Sequence, residues 1–109
     1  MIHEDGYWLP LFPGVYRHTI GAGERLMQME VRLDEGAQVP VHSHPHEQSS
    51  YIVSGRLRFT VNGTTREVGP GDLVHIPGGA AHAVTVIEPA LVIDTFSPPR
   101  EDLLAIDAT

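Results

Sequence analysis

The most regular stretch of the chain runs from Leu26 to Leu33, where Met27, Met29, Val31 and Leu33 alternate with Gln28, Glu30 and Arg32. A period of two puts the apolar set on one face of a β-strand, so one side of this segment faces a core. The alternation returns at Arg56 to Val61, with Leu57, Phe59 and Val61 opposed by Arg56, Arg58 and Thr60. It runs into Asn62-Gly63, which signals a tight hairpin and makes Thr64 to Val68 the returning strand. Gly69-Pro70-Gly71-Asp72 is a second turn, since proline fixes φ and glycine accepts positive φ. Leu73 to Ile76 and His82 to Ile87 are predicted strands divided by Pro77-Gly78-Gly79, and Leu91 to Phe96 is a last one, set off by Glu88-Pro89. Arg100 to Ile106 has room for one or two helical turns.

Short strands at this spacing, with no convincing 3.6-residue apolar period anywhere, predict an all-β barrel or sandwich. At 109 residues the chain can enclose one core and not two, so a single domain over 1–109 is expected, with the barrel at about 14–97 and a short tail at 98–109.

Composition narrows the chemistry. There are no cysteines, which removes thiolates and leaves nitrogen and oxygen as the donors for any metal. The basic residues are all arginines and the formal net charge is −7, a field that repels phosphate backbones and anionic membranes. Nucleic acid and membrane are therefore not expected partners, and an acidic small molecule needs a local cation to bind. The N-terminal stretch MIHEDGYWLPLFPG has no basic-then-apolar leader pattern, so a cytoplasmic location is expected.

The histidines carry the first candidate site. His42 and His44 share a face if the segment is a strand, and Gln48 keeps their parity if the extended backbone persists past Pro45. His82 opens a later strand that could close the set from a facing wall. Imidazole nitrogens with an amide oxygen suit zinc, nickel, iron(II) or manganese(II) without choosing among them. His46 is expected at the rim, His75 in a packing or supporting role, His3 and His18 in solvent, and Glu47 facing away. The second cluster is Asp94-x-Phe96-Ser-Pro-Pro-Arg100. Asp94 and Phe96 share a face and Ile93 and Thr95 take the other; parity alone does not say which is inward. A buried Asp94 requires a partner such as Arg100 or a histidine. Tyr51, out of phase with Gln48, is expected to pack in the barrel.

These residues also carry a resemblance. Gly36, five residues, His42-x-His44, three residues, Gln48, six residues and Gly55 resemble the first cupin signature; Gly71, five residues, Pro77-x-Gly79, two residues and His82 resemble the second. Two positions depart from the pattern, with Gln48 in place of the usual glutamate and Val86 in place of the closing asparagine. The resemblance implies a double-stranded β-helix, or jelly roll, holding one divalent metal through His42, His44, Gln48 and His82. With no carboxylate among those donors, the ion would keep its full charge and act as a stronger Lewis acid.

Gln48 together with Asp-x-Phe-x-x-x-Arg at 94–100 resembles the small cupins of the KdgF type. That implies an enzyme converting 4,5-unsaturated uronates from pectin and alginate breakdown to the linear 5-keto-4-deoxy form. Asp94 would move the proton, Arg100 would hold the substrate carboxylate and Phe96 would wall the sugar ring. An iron(II) dioxygenase and a non-catalytic cupin binding a sugar or small acid are the alternatives. Small cupins are commonly dimers, so a homodimer is expected.

Overall fold

The computed structural model describes residues 8–109. Eight strands and one helix follow in order: β1 Leu9–Phe12, β2 Val15–Ala22, β3 Met27–Leu33, β4 Gln38–His42, β5 Glu47–Val61, β6 Thr64–Val68, β7 Leu73–Ile76, β8 His82–Ser97 and α1 Glu101–Asp107. All pairings are antiparallel. No helix among the described residues is long and apolar enough to cross a membrane.

β5 and β8 organise the barrel because each is long enough to serve both of its halves. Glu47 to Ser54 pairs with Leu91 to Ser97, and Arg56 to Val61 pairs with His82 to Glu88. The first half is extended by β3, β2 and β1 beyond β8 and by β7 beyond β5; the second is extended by β4 and β6. Where the halves meet, the β5–β8 register slips between Ile52 and Leu57. Gly55 sits in that slip at φ 88°, and a Cβ there would lie 2.2 Å from the Pro89 carbonyl oxygen. Only glycine allows the two strands to pass this closely.

Glu88-Pro89 therefore does not divide two strands, as expected from the sequence; both residues lie inside β8. The irregular register opposite Pro89 accommodates a residue that cannot donate to the ladder. The hairpin behaves as its turn residues require, with Asn62 at φ 49° and Gly63 at φ 82° between paired Val61 and Thr64. Asp72 closes the next turn by accepting from the Gly69 N–H at 2.8 Å.

Every even residue of β8 except Glu88 is buried, which turns Val84, Val86, Val92 and Phe96 into the barrel. They meet Met27, Met29, Val31 and Leu33 of β3 and Ile52, Leu57 and Phe59 of β5 in one core cluster, to which α1 contributes Leu103. The outer face differs from expectation at two places. Tyr51 is 45% exposed on the outside of β5 and does not pack in the barrel. His18 is not solvated: it is buried, its ring nitrogen donates to Glu30 Oε1 at 2.7 Å, and Trp8 covers it edge-on at 4.8 Å. Trp8 lies just ahead of β1, so the cover comes from the residue that leads into the first strand, which a reading of β3 alone does not foresee. His3 lies outside the described residues.

Candidate functional site

Three imidazoles meet at one end of the barrel. His42 ends β4 and His82 begins β8, where they are direct cross-strand partners with ring centroids 4.1 Å apart. His44 lies beyond the end of β4, in the turn that leads through Pro45 and His46 into β5. The convergence of His42 and His44 is thus made by a turn, not by strand parity, because proline cannot continue the ladder. Residues of the second signature brace that turn. The Gly79 N–H donates to the His44 carbonyl at 2.8 Å, and Gly78 leaves room for the Pro45 carbonyl, which would lie 2.4 Å from a Cβ at that position.

Backbone carbonyls orient each ring. His42 Nδ1 faces Pro40 O at 2.8 Å, His44 Nδ1 faces His46 O at 3.1 Å and His82 Nδ1 faces Ala80 O at 2.9 Å. A carbonyl only accepts, so Nδ1 carries the proton in all three and each Nε2 keeps its lone pair. One potential ligand atom from each ring lies within 4.8 Å of the others. The Nε2 of His82 is buried without a hydrogen-bond partner. Gln48, on the inner face of β5, places Oε1 3.0 Å from His44 Nε2, so two acceptors face one another.

Burial, with the positive charge of Arg100 adding to it, lowers the His44 pKa to about 4. Burial likewise lowers that of His82. Both rings are neutral at neutral pH, as metal ligands must be. Convergent lone pairs, an orphaned buried nitrogen and a facing amide oxygen fit a divalent transition-metal ion better than they fit any arrangement of hydrogen bonds.

A second set of groups continues inward from this cluster. The Gln48 amide N–H donates to Ser50 Oγ at 3.1 Å, and the Ser50 hydroxyl donates to Asp94 Oδ1 at 2.5 Å. Ser50 and Asp94 are register partners across β5 and β8, which is why their side chains share the interior. Asp94 therefore takes the inward face, and its hydrogen-bond partners are Ser50 and Gln48, not Arg100 or a histidine. Burial raises the Asp94 pKa to about 6; the bonds from Ser50 and Gln48 and the charge of Arg100 oppose the rise. Ser50 escaped the sequence reading because serine in a strand carries no signal of its own. Its parity with Gln48 is the feature that could have found it.

Arg100 immediately precedes α1. Its guanidinium stacks over Phe96 at 5.3 Å and donates twice to Asp102, from Nε at 3.0 Å and Nη2 at 2.9 Å. Two of its five N–H groups are used, and the rest remain for an anion. His42, Gln48, Ser50, His82, Asp94 and Arg100 all line one cavity of about 110 Å³ whose remaining wall is mostly apolar. His46 is half-buried and outside the three-ring cluster, with its ring centroid 5.3 Å from that of His44. His75 and Glu47 are paired with each other on the outer face at 2.7 Å and take no part.

A model of the cupin domain matches residues 29–96. The chain is a cupin. Among relatives of this cupin is the pectin degradation protein KdgF of Dickeya dadantii, 31% identical over 94% of this chain and 96% of that one. The structure of KdgF from Halomonas sp. superposes with a TM-score of 0.85 at 36% identity, over 88% of this chain and 89% of its own. An RmlC-like cupin from Shewanella frigidimarina gives 0.84 at 33% identity, over 88% and 86%. Coverage of most of both partners makes this a KdgF-like cupin.

Proposed function

We propose that this cupin is a metal-dependent enzyme that opens 4,5-unsaturated uronate monomers to linear 5-keto-4-deoxyuronates. The observation that carries the reading is the placement of Asp94, a buried carboxyl group in the cavity that His42, Gln48 and His82 also line, with an arginine lining it as well. His42, His44, Gln48 and His82 would hold one divalent transition-metal ion. When bound, such an ion supplies a Lewis acid that polarises a substrate oxygen.

The remaining chemistry belongs to the chain itself. Ring opening is an isomerisation in which a proton leaves oxygen, the ring carbon–oxygen bond breaks and a proton joins carbon, so one group must both accept and donate. A carboxyl group with a pKa of about 6 holds both protonation states near neutral pH. Arg100 faces the substrate carboxylate with a planar fork that matches it bidentately. Its charge is the local cation that a protein of net charge −7 needs in order to bind an acid. Phe96, buried beneath Arg100, lies beside the sugar ring as an apolar wall. A cytoplasmic homodimer belongs to the same reading. Tyr51, Val53 and Leu73 offer exposed apolar surface for pairing, and the molecular mass in solution checks it.

The test follows loss of the ring double bond in an unsaturated uronate monomer incubated with metal-loaded protein. The expected result is turnover above buffer, reduced at least about 100-fold in Asp94→Asn. A rate equal to buffer, or full activity in that variant, overturns the assignment. Substrate-dependent oxygen uptake would instead favour the dioxygenase.

A further inference from the structure

The largest fully buried side chain among the described residues is Arg17, 1% exposed, which stands on β2 and points into the barrel with Val15. Its guanidinium reaches α1. Nη2 donates to the Leu103 carbonyl at 3.2 Å and pairs with Asp107 Oδ1 at 3.0 Å, while Thr19 Oγ1 donates to Asp107 Oδ2 at 2.5 Å. Asp107 is thus gripped through both carboxylate oxygens by two residues of one strand.

A helix of this length is not stable alone in water, so tertiary contacts decide where it lies. α1 has no basic residue in its last turn, and Arg17 supplies that cation from the sheet. The other end of the helix carries the cavity wall: Leu103 and Arg100 both line the cavity, and Asp102 holds the Arg100 fork. Burying an arginine is costly, and an apolar side chain could anchor the helix as firmly. What the ionic grip adds is a defined position.

We propose that Arg17, Thr19 and Asp107 form a clamp of positioning residues that fixes α1 against the barrel and so sets where Arg100 presents its free N–H groups to the anionic substrate. The inference rests on the uronate reading. None of the three belongs to the imidazole cluster or lines the cavity that holds Asp94, so the clamp acts on substrate binding and leaves the proton transfer unchanged.

The test compares metal-loaded wild type with Asp107→Asn, Arg100→Ala and the double variant, using steady-state kinetics on the unsaturated uronate and amide hydrogen exchange. Loss of one charge-assisted grip is expected to raise KM about tenfold in Asp107→Asn, with kcat changed by less than about twofold. The double variant is expected to be no worse than Arg100→Ala alone, since both act through one guanidinium. Exchange of amides 100–108 should accelerate while β5 and β8 stay protected. Because Asp107→Asn leaves a buried arginine without its counter-ion and can impair folding, Thr19→Val is measured in parallel. It changes no charge and should raise KM in the same direction by about threefold. Additive effects in the double variant, an unchanged KM, or unchanged exchange at 100–108 overturn the clamp. Accelerated exchange with no turnover in wild type overturns the uronate reading and leaves the clamp's hold on α1 standing.

Discussion

Replacing Ser50 with alanine tests whether the chain from Gln48 to Asp94 couples the metal-ligand set to the proposed proton carrier. Ser50 is 0% exposed, and its single hydroxyl accepts from the Gln48 amide and donates to Asp94. Alanine keeps the shape apart from one oxygen, so the cost is almost wholly polar. Two buried groups lose a partner at about 1 to 3 kcal/mol each, or about 2 to 6 kcal/mol together. Asp94 offsets part of this, because with a pKa of about 6 it can take up a proton and become a donor itself. The expected loss is therefore about 2 to 4 kcal/mol near neutral pH, a large share of the roughly 5 to 15 kcal/mol that holds a domain folded. Without Ser50 the Gln48 amide also loses the bond that turns its oxygen toward the imidazoles, and metal affinity should fall about 10- to 100-fold. Urea unfolding of the metal-free protein gives the first quantity and competition with a chelating indicator gives the second. Ser49→Ala, on the opposite face of β5, is the control and should shift stability by less than about 0.5 kcal/mol. A Ser50→Ala variant as stable as that control, with wild-type metal affinity, would refute the coupling.

Other outcomes follow from the same geometry. In Gly55→Ala a Cβ meets the Pro89 oxygen at 2.2 Å on a backbone at φ 88°, so a loss of more than about 3 kcal/mol and poor recovery of folded protein are expected, measured by thermal unfolding. His82→Ala removes the orphaned Nε2, and elemental analysis after purification without chelators should show metal content falling to background. For the metal-free protein, His44 at about 4 and the lowered His82 contribute stability that is complete above 6.5 and lost as pH falls toward 4. Asp94, raised to about 6, contributes in the opposite sense, with stability complete below 3.8 and lost as pH rises through 6. Asp94→Asn should therefore steepen the acid loss of stability between pH 6.5 and 4; urea midpoints that run parallel to wild type across that window would contradict it.

Much of the barrel was legible in the chain, because a half-buried strand writes its two faces into alternate residues. Met27 to Leu33 and Leu57 to Val61 turned inward as their alternation required, and Asn62-Gly63 made the turn its φ demands. The spacing of His42, His44, Gln48 and His82 likewise announced a cluster. Alternation also has a blind spot. It shows that two faces differ but not which is buried when both are mixed, as at Asp94 and Ile93, and it says nothing about what covers an outer face, as Trp8 covers His18.

Local pattern thus determined the strands, the turns and the candidate donors. Only the tertiary structure decided that β5 and β8 run unbroken through the bend at Gly55 and Pro89, that Ser50 completes the partner shell of Asp94, and that Arg17 grips α1. Each of these depends on residues far apart in sequence meeting in a low-dielectric interior. A polar side chain's role there is set by the partner it meets, and that partner is not encoded in its neighbours along the chain.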